Sequence, residues 1–171
     1  INGKCLKDLA NNFGYIFEIV LPDDIRILPQ DAFGTEAGPE INILPPTTDA
    51  PIICVIDSGI QEGHRYLASA ILENDSICLL KHTDDVLDYV EEGGHGTRVC
   101  GAVLYPDQIP IDGDYQLPCW IRNIRTLDNT NMMPDNLNPP YVIKYIVNHF
   151  YAEAEKKSKL YNHSIGSSSS C

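Results

Sequence analysis

The feature that most constrains this chain is the run Pro51-Ile52-Ile53-Cys54-Val55-Ile56, which stops at Asp57-Ser58-Gly59. Unbroken apolarity without alternation suits a strand buried on both faces. Such strands belong to parallel sheets covered by helices on each side. The polar turn that follows puts Asp57 at the carboxyl end of the strand, the edge where α/β sheets gather ligands and reactive groups.

Further elements recur downstream. Strands are predicted at 76–80, at 119–127 and from Leu160 to Ile165. Gly93-Gly94-His95-Gly96-Thr97 opens a segment with Val99, Ala102, Val103 and Leu104 at helical spacing, closed by Pro106. Asn138 before Pro139 and Pro140 is a helix-start signal. Val142, Ile143, Ile146, Val147, Phe150 and Ala154 then form a buried stripe. Lys156, Lys157 and Lys159 are expected to close that helix against its negative end. The succession strand, helix, strand, helix, strand predicts an α/β fold, a parallel sheet flanked by helices.

Residues 1–50 read differently. Tyr15 to Val20 is expected to be a strand ending at Pro22, and Asp31 to Thr48 is rich in Pro, Gly and acids. That composition predicts a leader or linker. The expected organisation is a leader or linker region over 1–50 and an α/β domain portion over 51–171.

Composition narrows the function. Hydrophobic residues at 43% and charged residues at 21% are near the globular average, so a folded core is expected. Twelve Lys and Arg against 24 Asp and Glu leave a net charge of -12. That field repels phosphate backbones and anionic membrane surfaces, so neither nucleic acid nor membrane is expected as a partner. No apolar run approaches the roughly 20 residues that span a bilayer. Cys5, Cys54, Cys78, Cys100, Cys119 and Cys171 are scattered, without a C-x-x-C pair or a His spaced for zinc. They read as free thiols of a reducing, cytoplasmic compartment. No secretory signal is visible, and the start at Ile1 instead of Met is expected to be a processing or expression boundary.

Two motifs carry chemistry: Asp57-Ser58-Gly59-Ile60 after the buried strand, and His95-Gly96-Thr97 opening a helix. Amide hydrolysis needs a nucleophile, a base to take its proton and an acid that orients the base. A carboxylate at a strand end can be held rigidly, and an imidazole on the first turn of a nearby helix can face it. Gly93, Gly94 and Gly96 are expected to allow tight turns around His95.

Asp57-Ser58-Gly59-Ile60 followed by His64 resembles the aspartate motif of the subtilisin-like serine peptidases, the subtilase family. Gly94-His95-Gly96-Thr97-Arg98-Val99-Cys100-Gly101 resembles its histidine motif, with Cys100 replacing the usual Ala. Arg65 replaces the usual Pro after His64. Arg122 to Leu127 is similar to the family's next strand. Asn162-His163-Ser164-Ile165-Gly166 is similar to its substrate-pairing N-x-S-x-G strand. The first two triad members stand in the order known for subtilisin.

The resemblance covers 51–166 and implies a subtilisin-like sheet, truncated before the C-terminal part of the domain. It implies a serine-type endopeptidase in which Asp57 orients His95 and His95 acts as base, then acid. Ser164, Ile165 and Gly166 would bind the main chain of a peptide or protein substrate. The family's oxyanion Asn and nucleophilic Ser would follow Cys171, so the chain alone is expected to be inactive. Ser167 to Ser170 and Cys171 are not expected to substitute. No cofactor is required, no metal ligand is assigned, and the truncated sheet edge invites self-association.

Blander readings apply to the other residues. His64, His82, His149 and His163 read as surface or hydrogen-bonded structural residues. Asp84, Asp85, Asp88, Glu91 and Glu92 could hold a structural calcium, but without the calcium-loop pattern they read as a solvated acidic loop. A rival reading for the whole chain is a degenerate subtilase fold used for peptide binding or protein interaction. Another is half of a split enzyme.

Overall fold

The computed structural model describes residues 41–164 apart from 92 and 111, together with Lys7. The strand expected at 15–20 lies outside the described residues, as does most of the stretch expected to be a linker.

Among the described residues from 41 to 164, six strands and two α-helices follow in order: β1 (Asn42–Leu44), β2 (Ile52–Asp57), β3 (Ile77–Cys78), α1 (His95–Leu104), β4 (Asp114–Gln116), β5 (Trp120–Arg125), α2 (Pro139–Val147) and β6 (Leu160–His163). The main sheet has the order β3-β5-β2-β6, and every pairing is parallel. Ile52 pairs with Trp120 and Asp57 with Arg125 on one side of β2, while Ile53 pairs with Leu160 and Ile56 with His163 on the other. The α/β architecture is that of a subtilisin-like fold.

The composition of β2 explains its position. Val55 packs with Ile60, Leu67, Cys100, Leu104 and Ile121 on one face. Cys54 and Ile56 pack with Ile124, Val142, Ile146 and Phe150 on the other. Successive side chains of a strand point to opposite faces, so a strand apolar at every position needs a cover on both. Helix α1 supplies one cover and α2 the other. The chain leaves β2 for β3 at the sheet edge, returns to β5 through α1, then crosses to β6 on the opposite side of β2 through α2. Both helical connections step the same way along the sheet yet cover opposite faces, so the two crossovers have opposite hands.

Two details differ from the sequence expectation. Within the Pro-rich stretch, β1 pairs in parallel with β4 as a separate two-stranded ribbon. The N–H of Leu117 donates to the Leu44 carbonyl at 3.1 Å and Trp120 Nε1 to the Thr47 carbonyl at 2.8 Å, tying this segment to the domain. At the other end, α2 runs into a π-helical turn, Asn148–Glu153, and the chain is extended by Ala154. Lys156, Lys157 and Lys159 therefore lie beyond the helix and do not cap it. The Phe150 carbonyl instead accepts the Ser158 N–H at 2.8 Å, and buried Arg122 reaches the Ser158 hydroxyl at 2.9 Å. These bonds pull the chain off the helix axis.

Candidate active site

Parity along β2 decides where Asp57 points. Ile53 and Val55 face the α1 side, so Asp57, two residues further on, faces it too. His95 is the first residue of α1. Its Nδ1 lies 2.7 Å from Asp57 Oδ1. Asp57 is 1% exposed, whereas the His95 side chain is 32% exposed, so one partner is fixed and the other reaches solvent.

An ionised carboxylate can only accept, so this contact puts an imidazole proton on Nδ1, and a neutral ring then keeps its lone pair on Nε2. Asp57 Oδ1 also accepts the Ser58 N–H at 2.7 Å. The Asp57 main-chain carbonyl accepts from Thr126 N at 2.8 Å and Leu127 N at 3.2 Å, which clamps the strand end against the end of β5. Asp57 Oδ2 is buried without a hydrogen-bond partner among the described residues. The carboxylate thus spends its strongest interactions on one oxygen, the one that holds the imidazole.

The glycines around His95 act in two ways. Gly94, the N-cap of α1, has φ 83°, a conformation costly for any residue with a Cβ. Gly96 is helical and makes no turn. A Cβ there would overlap the Gly59 carbonyl oxygen and stand 3.0 Å from Asp57 Cβ. Its absence lets the helix approach β2 closely enough for the imidazole to meet the carboxylate.

Helix α1 has no side-chain cap of its own. The orphan N–H groups of its first turn are instead satisfied from elsewhere in the chain. Gly96 N donates to Ser58 Oγ at 3.0 Å, and Thr97 N donates to Asp88 Oδ2 at 2.8 Å. The Ser58 hydroxyl donates onward to Asp88 Oδ1 at 3.0 Å, and the Thr97 hydroxyl to Asp88 Oδ2 at 2.9 Å. Asp88 is only 4% exposed. Reading it as part of a solvated loop is corrected here: its carboxylate is an internal hydrogen-bond hub. The sequence signal was its setting, since Val86-Leu87 and Tyr89-Val90 flank it while the neighbouring acids lack such company.

The remaining candidates scatter. His64, His82 and His163 are exposed. His149 stacks on Tyr145 with ring centroids 5.8 Å apart. Ser164 follows β6, and because Ile56 pairs with His163, it comes level with Asp57 at the sheet edge. Its hydroxyl is exposed and donates to Asn162 Oδ1 at 2.7 Å. Ile165, Gly166, Ser167 to Ser170 and Cys171 lie outside the described residues. Cys54, Cys78, Cys100 and Cys119 are free thiols. Burial pushes Cys100 up to about 12 and Cys119 up to about 11, which keeps both protonated and unreactive.

A parallel sheet whose inner strand ends in a buried carboxylate bound to the Nδ1 of a partly exposed imidazole is an arrangement suited to acid–base chemistry. The Subtilase family profile matches residues 48–171, spanning both motifs and every element from β2 onward. The chain belongs to the subtilase family, a family of serine peptidases. No curated protein and no solved structure matches it.

Proposed function

We propose that this chain supplies the acid and base of a serine endopeptidase. Asp57 holds His95 in the tautomer that leaves Nε2 basic. His95 takes the proton of a seryl hydroxyl as it attacks the scissile carbonyl, then returns it to the leaving amine. Asp57 stabilises the imidazolium formed between the two transfers. The observation that carries this reading is the 2.7 Å contact between His95 Nδ1 and a carboxylate 1% exposed. The nucleophile is proposed to come from sequence following Cys171, as the family order Asp, His, Ser requires, and Ser164 to Gly166 to pair with the substrate main chain.

The test is fluorophosphonate labelling with peptide hydrolysis, on the product of the full reading frame and on the 171 residues alone. The longer protein should take the label and cleave peptide. Asp57→Asn, which leaves the imidazole in the wrong tautomer, should lower kcat about 10⁴-fold. The 171 residues should do neither. Labelling of the 171 residues, or a longer protein indifferent to His95→Ala, refutes the assignment.

A further inference from the structure

We propose that Asp88 is a positioning residue for the Asp57–His95 pair, acting through Ser58 and the first turn of α1. The effect on catalysis rests on the peptidase reading above; the effect on the pair itself does not.

The argument starts from what the pair needs. Asp57 sits on β2 and His95 on α1, with 37 residues of chain between them, and their contact survives only if strand end and helix start stay fixed relative to each other. Asp88 binds both sides of that junction. On the strand side it accepts the hydroxyl of Ser58, the residue next to Asp57. On the helix side it accepts the main-chain N–H and the hydroxyl of Thr97, two residues after His95. Ser58 closes the circuit by accepting the Gly96 N–H while its own N–H holds Asp57 Oδ1. Ser58, Gly96 and Thr97, which follow the two members of the pair, are therefore hydrogen-bonded to Asp88 directly or through one hydroxyl.

The seat of the carboxylate is built for it. Val90 N donates to Asp88 Oδ1 at 3.1 Å, the Gln61 side-chain amide donates to its main-chain carbonyl, and Gln61 N donates to the Thr97 hydroxyl at 3.1 Å. A Cβ at Gly94 would overlap Asp88 Oδ2, so Gly94 is needed for the carboxylate to fit as well as for its own backbone turn. With four donors on two oxygens, an ionised carboxylate is the only side chain of this size that satisfies the site. An amide would turn an NH₂ group toward at least one donor. The negative charge also meets the positive end of α1.

The experiment uses a spectroscopic signature that a general loss of packing does not produce selectively. A proton held between His95 Nδ1 and Asp57 resonates far downfield of the amides, and its line reports how constantly the bond is made. In the 171-residue chain, Asp88→Asn and Ser58→Ala should each broaden or abolish that signal while the amide spectrum of β2, β5 and α2 stays native. The double variant should be no worse than Asp88→Asn alone, because both act on one path. In the longer protein each should lower kcat about 10- to 100-fold with KM nearly unchanged, the range for loss of an orienting outer contact.

A sharp, unshifted signal in folded Asp88→Asn overturns the proposal, and so does a wild-type chain with no such signal. Should Asp88→Asn not fold, Ser58→Ala decides alone, since it keeps the carboxylate and its Thr97 bonds. Loss of the signal in the variants of a protein without peptidase activity supports the positioning role and refutes only the peptidase reading.

Discussion

Two glycines in one helix offer a matched test of how closely α1 is pressed onto β2. Gly96 and Gly101 both lie within His95–Leu104, and each can be given one Cβ. In a helix interior, alanine is favoured over glycine by about 0.8–1.0 kcal/mol. Nothing lies within 4 Å of a Cβ at Gly101, so Gly101→Ala should stabilise the protein by about 0.5–1 kcal/mol. At Gly96 the same carbon overlaps the Gly59 carbonyl oxygen and stands 3.0 Å from Asp57 Cβ and 3.2 Å from Asp57 Oδ1. The obstacle is backbone, and Gly59 is itself held against the carbonyls of Val86 and Leu87, so it has little room to retreat. Overpacking of this kind costs about 1–3 kcal/mol, only partly offset by the gain in propensity. The propensity gain is common to both, so the two variants should differ by the overpacking cost, about 1–3 kcal/mol, with Gly96→Ala the less stable. Urea unfolding followed by the fluorescence of Trp120, the single tryptophan, measures both midpoints in one protein. A Gly96→Ala protein as stable as Gly101→Ala would refute the close approach on which the Asp57–His95 contact depends.

The buried thiols set an alkaline limit. Folded Cys100 and Cys119 hold their protons to about 12 and about 11, against an ordinary value of 9.0, because burial disfavours the thiolate. Their contribution is whole below pH 9 and is lost as pH rises through the folded values, each thiol changing stability by at most about 1.4 kcal/mol per pH unit. Cys100→Ala should accordingly lose less stability between pH 8 and pH 10.5 than wild type, and an equally steep decline in urea midpoints contradicts this. Arg122, 2% exposed, reaches Asp75 Oδ2 at 2.8 and 2.9 Å, bonds Ser158 and lies over the Phe150 ring. Arg122→Met should destabilise by about 2 kcal/mol in the same assay, with Arg122→Lys failing to rescue the forked geometry. A loss under about 0.5 kcal/mol refutes it.

The parts of this fold written in strong periodic signals were legible in the sequence. An apolar run with no alternation announced β2, glycines and then helically spaced Val and Leu announced α1, and Asn138-Pro139-Pro140 announced α2. The meeting of Asp57 with His95 could be read because a carboxylate at a strand end and a glycine-flanked His at a helix start are each fixed by strong local patterns. The rest depended on tertiary partners that leave at most a faint local mark, such as the apolar neighbours of Asp88. Strand β1 is three residues long in a Pro-rich stretch, and it exists because β4 lies beside it. The end of α2 is set by Ser158 and Arg122, which bond it from outside the helical pattern. Asp88 stands among other acids and reads as solvated until the fold closes Ser58 and Thr97 around it.

The even covering of β2 by two helices has a consequence for what the chain can tolerate. Whether the last side chain of β2 looks up or down follows from counting residues from the first. One amino acid added or removed between Ile52 and Ile56 would leave an equally greasy ribbon that still sits in the sheet. It would nevertheless turn the carboxylate to the far layer, away from the imidazole. An exchange of one apolar residue for another of like volume keeps this parity, whereas a change of length by one reverses it.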